Sequence, residues 1–190
     1  RSNGRALSVT QSGNSTYSGI VSGTSSTLTK LGAGTLTLTE ANSYTGATTI
    51  SAGTLRLGAA GGATNTPLGT AAAGTVVASG ATLDLNGFTL GTAEALTING
   101  TGLSSAGALT NSSATAATYS GLLTLGSSAT IKASSGHIVL SNAGTITGSG
   151  FGLTLDGTST ASSLASILGT GAGTLTKAGT GTWTLSGTNI

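Results

Sequence analysis

Hydrophobic and polar residues alternate with a period of two in short runs along the whole chain. In "TLTLT", Leu36 and Leu38 are predicted to point one way and the three threonines the other way. Similar runs, such as "TLRL", "ATLDLNG", "LLTLG", "HIVLS" and "GLTLDG", are each bounded by Gly, Asn or Ser. The pattern therefore predicts many short β-strands, each with an apolar face and a polar face.

Many short strands with regular turn signals fit a sandwich, a barrel or a β-solenoid. Three features favour the solenoid. Strands and turns continue without a long loop or a clear hairpin, the inward positions are almost all Leu, Ile, Val and Ala, and one phrase returns at long range. The sequence therefore predicts an all-β fold, and coils of about 20 residues would give roughly nine rungs.

Glycine, asparagine and threonine each have a predicted place in such a coil. Gly turns the corners, where a positive φ is often needed. Thr suits the outer face, where its hydroxyl can pair with that of the next strand. Asn also suits corners, and we expect Asn side chains on successive rungs to form a hydrogen-bonded ladder. The corner asparagines are Asn86, Asn99, Asn111 and Asn142.

Composition excludes two other classes of structure. Only 5% of the residues are charged and 3% are aromatic, while 33 of 190 are Gly, so the chain lacks the residues that surface helices need. Disordered chains combine low hydrophobicity with high net charge. This chain is 37% hydrophobic with a mean hydropathy of +0.30, which disfavours disorder.

The few charges also limit the partners. The formal net charge is +2, and the cations are scattered along the sequence, so no stripe that follows a phosphate backbone is visible. We therefore expect no nucleic-acid partner. No apolar run approaches the roughly 20 residues of a membrane helix, so we expect no membrane insertion by this segment. The cations are Arg1, Arg5, Lys30, Arg56, Lys132 and Lys177.

One phrase of about thirty residues, "LTKLGAGTLTLTEANSYTGATTISAGTLRLG" (28–58), begins again as "LTKAGTGTWTLSGTNI" (175–190). The phrase resembles the passenger-associated strand repeat of bacterial autotransporters, whose pattern runs L-T-K-x-G-x-G-T-L-T-L and then N-x-Y-x-G-x-T-x-I-x-x-G-T-L. The positions that fall on this pattern are Lys30, Gly32, Gly34, Thr35, Leu36, Asn42, Tyr44, Gly46, Thr48, Ile50, Gly53, Thr54 and Leu55.

The resemblance implies a right-handed parallel β-helix that is secreted across the outer membrane to the cell surface. Residues 59–174 look like the spacer rungs between such repeats, so we interpret 1–190 as one continuous segment of a longer repetitive protein. Two departures are small: Glu40 stands where Gly is more usual, and Trp183 replaces the Leu of the first copy. The resemblance implies the fold and the extracellular location more firmly than any activity, because a fold does not determine a function.

No set of reactive side chains in the sequence predicts catalysis. Asp84 and Asp156 lie several rungs apart, so we do not expect them to converge as the carboxylates of a glycosidase do. A single Asp in "GLTLDG" cannot form the calcium site of a β-roll, and His137 lacks the neighbours of a catalytic triad. Cysteine is absent. We therefore expect no enzyme activity, no cofactor and no metal. The other acids are Glu40 and Glu94.

The leading functional hypothesis is a structural segment of an extracellular stalk or fibre. An open strand edge at each end invites end-to-end stacking, so the expected partners are further repeats or copies of the same chain, which would assemble into filaments. The alternative is an adhesin that binds glycans or host proteins through Tyr17, Tyr44, Tyr119 and Trp183, although these aromatics can instead pack at coil corners. A third hypothesis is an ice-binding face of T-x-T tripeptides, which "TLRL", "TLDL" and "HIVL" interrupt.

Overall fold

The short alternating runs form strands that stack turn upon turn into a β-solenoid of about eight turns. The computed structural model describes residues 4–188. Within this range every pairing between named strands is parallel and joins one turn of the coil to the next. The predicted all-β solenoid is therefore confirmed, while its right-handed sense stays a prediction.

The strands lie on three sides of the coil, which we name the first, second and third faces. The first two faces belong to one 15-stranded sheet, because one long strand runs from one face to the other, and the third face holds a two-stranded and a four-stranded sheet. The first face contains β1 (Ala6–Thr10), β4 (Thr27–Leu31), β7 (Thr48–Ile50), β9 (Thr75–Val77), β11 (Leu96–Gly100), the start of β14 (Leu123–Ala133), β16 (Thr145–Thr147) and β19 (Ile167–Gly169). The second contains β2 (Ser15–Tyr17), β5 (Thr35–Leu38), β8 (Thr54–Leu57), β10 (Thr82–Asp84), β12 (Leu109–Asn111), the end of β14, β17 (Leu153–Gly157) and β20 (Leu175–Lys177). The third contains β3 (Ser22–Gly23), β6 (Ser43–Tyr44), β13 (Ala117–Tyr119), β15 (Ile138–Leu140), β18 (Ser162–Leu164) and β21 (Trp183–Leu185).

The turns of the coil differ in length, which affects the number of turns that the chain completes. Thr35 pairs with Thr54, 19 residues later, but Thr54 pairs next with Thr82, 28 residues later, so the second of these two turns is much longer than a coil of about 20 residues. Insertions at the corners lengthen it. The chain therefore completes about eight turns instead of nine.

The core is a set of aliphatic columns that run along the coil axis. Parallel pairing places each inward side chain on its equivalent in the next turn, so the interior fills with close-packed Leu and Ile. None of the residues in the longest such column is more than 2% exposed. This column, on the second face, consists of Leu36, Leu55, Leu83, Leu109, Ile131 and Leu155.

The predicted asparagine ladder is wrong. Each corner Asn hydrogen-bonds with the backbone of a neighbouring turn instead of with another Asn, because strand register does not place these residues opposite one another; Asn111, for example, lies opposite Ala133. The side-chain amides of Asn86, Asn99 and Asn142 donate to the carbonyls of Leu57, Val77 and Ser120 at 3.0, 2.8 and 2.9 Å. Asn111 donates to the carbonyl of His137 at 3.0 Å and accepts from the Gly87 N–H at 2.8 Å.

Helix is nearly absent from residues 4–188. The one helical element there is a single 3₁₀ turn, Leu103–Ser105, which belongs to a corner insertion. The described part of the chain has no helix of the length and apolar character needed to cross a membrane.

Candidate functional site

The aromatic side chains predicted as ligand contacts are divided between the interior and the ends. Tyr44 and Tyr119 are 0% and 1% exposed, so the prediction is wrong for both: no ring face is left for a sugar. Their hydroxyls are also used, since Tyr44 bonds with the Thr48 hydroxyl at 2.5 Å and Tyr119 donates to the carbonyl of Glu94 at 2.8 Å. These aromatics are core residues.

The end turns expose side chains that would lie in the core of a middle turn. At the first turn Leu7, Tyr17 and Ile20 line an open cavity of about 280 Å³. At the last turn Leu175 and Leu185 are about 40% exposed, while Trp183 is half-buried and its indole N–H donates to the Asp156 carbonyl at 3.3 Å. Described strands at the two ends of the coil are paired on one side alone, among them β1, β2, β19, β20 and β21. Both ends of the coil are therefore open.

A buried lysine closes the first corner of the full repeat. Lys30 is completely buried, and its ammonium donates to the carbonyls of Leu31, Gly32 and Ala52 at 2.9, 2.8 and 3.1 Å. Burial lowers the pKa of this group. Ala52 lies on the following turn, so the "LTKxG" motif joins two turns. Sequence reasoning placed Lys30 among the scattered cations and missed this role.

The asparagine of the repeat joins three turns. Asn42 is buried, accepts from the Val21 N–H on the preceding turn at 2.7 Å, and donates to the Pro67 carbonyl on the following turn at 2.7 Å. Its counterpart in the second copy, Asn189, lies outside the described residues. The polar residues of the repeat thus satisfy backbone groups inside the coil, which is a structural use of their chemistry.

Glu94 is a buried carboxyl group with one unsatisfied oxygen. Its Oε1 accepts from the Thr75 hydroxyl at 2.5 Å, while Oε2 has no hydrogen-bond partner in the described part of the chain. Burial raises its pKa to about 7. Burial, and to a smaller degree the charge of Glu94, also raise the pKa values of Tyr119 and Tyr44. Because Glu94 is sealed inside the coil, it has no access to a substrate.

Four charged residues form one outward-facing column on the second face. Strand register places Arg56, Asp84, Thr110, Lys132 and Asp156 on consecutive turns. Arg56 Nε lies 2.8 Å from Asp84 Oδ2, and Lys132 Nζ lies 3.2 Å from Asp156 Oδ2. Charges that are scattered in the sequence are therefore aligned in space.

The other candidates from the sequence stay apart. Glu40 is exposed in a bend, and His137 is half-buried just before β15. No group of three or more His, Asp or Glu residues within 4–188 is placed to hold a metal ion. The T-x-T hypothesis also lacks an uninterrupted array, because on the second face the column that contains Thr37 continues as Arg56 and Asp84.

Comparison with known proteins adds one finding. Residues 28–57 and 175–190 match the model of the passenger-associated-transport-repeat family. Comparisons with curated proteins and with solved structures find no match. The first matched segment contains Lys30, which joins two turns, and the second contains its counterpart Lys177. This repeat implies an autotransporter passenger, and hence a secreted cell-surface protein.

Proposed function

We propose that the chain is a rigid structural length of an extracellular stalk or fibre, since two of its segments match the passenger-associated-transport-repeat family and it folds as a β-solenoid. The observation that carries this proposal is the continuity of strand pairing. On the first two faces each turn pairs with the next from β1 to β19 and from β2 to β20. Such a stack satisfies its own backbone hydrogen bonds and resists bending along its length.

The two ends support stacking on further turns. The inward positions at the first turn include Leu7, which pairs in register with buried Leu28, and those at the last turn include Leu175, which pairs with buried Leu153. An added turn would cover both the apolar side chains and the open strand edges. Because the two ends are different surfaces, copies of the chain would join head to tail, and such a contact does not close. The expected assembly is a filament.

The placement of the carboxylates supports a structural role over an enzymatic one. Asp84 and Asp156 are three strand spacings apart, about 14 Å, while a glycosidase pair stands at about 5 to 10 Å. Glu94 is sealed in the core and Glu40 lies alone at an exposed bend. We therefore expect the segment to have no glycosidase activity.

Cryo-electron microscopy of the purified chain tests the proposal, with size-exclusion chromatography over a range of concentrations. We expect rods with an axial repeat of about 4.8 Å that lengthen with concentration. Ile20→Lys and Leu185→Lys place a charge in the two end surfaces and should give single short rods. Val76→Lys is the matched control, because Val76 is an exposed apolar residue on the side of the coil.

The outcomes separate the fold from the assembly. Compact particles without the axial repeat would overturn the stalk. Single rods at every concentration, with the end variants unchanged, would overturn stacking between copies. Filaments that Val76→Lys disrupts as strongly as Ile20→Lys would show that copies associate through the side of the coil.

A further inference from the structure

A polar groove of about 420 Å³ lies along the second face, outside the core and away from both ends. Its floor is the middle of the charged column, from Arg56 to Lys132. Hydroxyl groups line both walls, and none of the residues that surround the groove is aromatic or carries a large apolar side chain. The wall residues with hydroxyl groups are Thr54, Thr82, Ser104, Ser105, Ser112, Ser134 and Ser135.

One wall is a corner insertion held in a strained conformation. The Thr82 hydroxyl donates to the Gly107 carbonyl and accepts from the Leu103 N–H, both at 2.9 Å, and thereby fixes the insertion over the sheet. Ser104 and Ser105 have φ values of 48° and 62°. This left-handed conformation is unfavourable for serine and persists where the surroundings impose it, often at binding sites. The insertion therefore holds two serine side chains beside the groove.

The charges of the groove are not equally available to a ligand. Asp84 is 1% exposed, and its carboxylate accepts four hydrogen bonds. The donors are Arg56 Nε, the Ser112 hydroxyl, the Ser112 N–H and the Asn86 N–H, at 2.8, 2.6, 3.0 and 3.0 Å. The carboxylate is therefore saturated and covered.

The cations keep free donors. The Arg56 side chain is 38% exposed, and its two terminal nitrogens have no partner among residues 4–188. Because Nε is fixed on Asp84, the free edge of the guanidinium is held in one orientation. Lys132 is 32% exposed and contacts Asp156 and the Ser105 carbonyl, the latter at 3.4 Å. The hydroxyls of Ser104, Ser105, Ser134 and Ser135 likewise form no hydrogen bond with the described residues.

We propose that this groove binds an acidic oligosaccharide, with a sugar carboxylate on the terminal nitrogens of Arg56 and sugar hydroxyls on the serines of the walls. A guanidinium binds a carboxylate through two parallel hydrogen bonds. The extended line of serine hydroxyls suits a chain of hydroxylated rings. Asp84 fixes Arg56 and is itself covered, so a ligand meets the free edge of the guanidinium instead of the carboxylate. The segment would thus carry a binding site in addition to its structural role.

Titration calorimetry and amide NMR spectra of the 190-residue chain test the proposal. The probes are short oligomers of galacturonate and neutral galactose oligomers of the same length. We expect the acidic oligomer to bind, with chemical-shift changes at Ser104, Ser105 and Arg56, and the affinity to fall as salt is raised. The neutral oligomer should bind at least about tenfold more weakly, as the loss of a charge-assisted pair implies.

Variants separate the groove from the rest of the surface. Arg56→Gln should weaken binding about tenfold, and Arg56→Lys should weaken it less because the charge is kept and the forked geometry is lost. Ser104→Gly removes a hydroxyl but suits the left-handed backbone, so it should weaken binding without destabilising the fold. Arg5→Gln, an exposed cation outside the groove, is the matched control.

Three results would overturn the proposal. The first is equal binding of the neutral and acidic oligomers, and the second is no binding of either. The third is binding that both Arg56→Lys and Ser104→Gly leave unchanged while the shift changes lie elsewhere. Since Ser104→Gly relieves strain, a loss of affinity in this variant cannot be attributed to unfolding.

Discussion

The two copies of the repeat share a close glycine contact with the turn before them and differ in their contacts with the turn after them. In the first copy the Lys30 ammonium donates to the carbonyls of Leu31 and Gly32 and to that of Ala52 on the following turn. In the second copy Lys177 is exposed and donates to the equivalent two local carbonyls, those of Ala178 and Gly179. Within the described residues no later turn supplies a third acceptor. These two local hydrogen bonds therefore hold the ammonium at its own corner without a contact from another turn.

The glycines of the motif show the part that both copies share. Gly32 and Gly179 have φ values of 75° and 65°. A Cβ atom would lie 2.2 Å from the Gln11 carbonyl oxygen at the first position and 2.4 Å from that of Gly157 at the second. Both glycines are therefore required by the turn before, which is present in each copy. In both copies this glycine sets the fit to the previous turn through backbone shape, while in the first copy Lys30 and Asn42 also donate hydrogen bonds to the next turn.

The copies also begin on different faces. Leu28 is on the first face and pairs with Leu7, whereas Leu175 is on the second face and pairs with Leu153. The same phrase therefore forms strand, corner and strand around either corner of the coil. We infer that the motif specifies local geometry, and that the residues between the copies determine the face on which the second copy begins.

The largest expected difference between the copies concerns one leucine position. Leu38 and Leu185 are equivalent in the repeat, but Leu38 is 1% exposed and Leu185 is 42% exposed. Leu38→Ala should lower the free energy of unfolding by about 3 kcal/mol, as large-to-small changes in cores do. Leu185→Ala should change it by less than about 1 kcal/mol, since little apolar burial is lost.

Urea denaturation followed by circular dichroism measures both variants. Because a solenoid can unfold turn by turn, amide hydrogen exchange should accompany it. Equal effects of the two substitutions would mean that the last turn is covered in solution, as stacking between copies predicts. The measurement is then repeated in an Ile20→Lys background. If stacking covers the last turn, the two substitutions should become unequal; if they stay equal, Leu185 is covered within a single chain.

The repeat residues show which parts of the fold the sequence could predict. The alternation of Leu36 and Leu38 with threonines correctly predicts the inward columns, because strand geometry alone sets that period. The face on which Leu175 begins depends on corner insertions such as the one that contains Ser104, whose length changes the register without a hydrophobic signal. The face of each strand therefore depends on the register between turns, which the local sequence pattern does not show.

The candidate site was harder to predict for a similar reason. Arg56, Asp84 and Lys132 are far apart in the sequence and become neighbours solely through turns of unequal length. Tyr44 and Tyr119 were considered either as ligand contacts or as residues that pack at coil corners with the hydroxyl near water. The interior instead supplies partners for both hydroxyls. A run of residues shows which side chains alternate, but it does not show which ones share a column.

The interior should also respond to pH in a way that the exposed repeat residues do not. Burial raises the pKa of Glu94 to about 7, above its ordinary value of 4.5. Below the ordinary pKa both folded and unfolded chains are protonated, so the folded state bears no penalty. As pH rises toward 7 the unfolded chain ionises first, and the free energy of unfolding should fall by about 2 to 3 kcal/mol.

Denaturation curves between pH 4 and 8 (about the span of the two pKa values) measure this slope. Glu94→Gln keeps an amide oxygen for the Thr75 hydroxyl and should abolish it. Glu40→Gln, a change at the exposed bend of the first copy, should leave it intact. A slope that persists in Glu94→Gln would assign the titration to another group.

A smaller effect is expected from the repeat lysines. Lys30→Met keeps the length of the side chain but leaves the carbonyls of Gly32 and Ala52 without this donor. It should lower the free energy of unfolding by about 1 to 2 kcal/mol, as unpaired buried acceptors do. Lys177→Met should be nearly neutral, because water reaches the same carbonyls at the exposed corner. If Lys30→Met were more stable than the unmodified chain, burial of the ammonium would outweigh its three hydrogen bonds.

The smallest effect should come from restoring the residue of the first copy at Trp183. Trp183→Leu removes the 3.3 Å hydrogen bond from the indole to the Asp156 carbonyl and part of a half-buried ring, so we expect a loss of less than about 1 kcal/mol. The reverse change, Leu36→Trp, places the ring in a closed column between Ser15 and Leu55. It should be worse, by about 1 to 3 kcal/mol, since overpacking forces neighbouring turns apart. Tolerance of Leu36→Trp would mean that interior turns can separate, and the rigid stalk would then lose its physical basis.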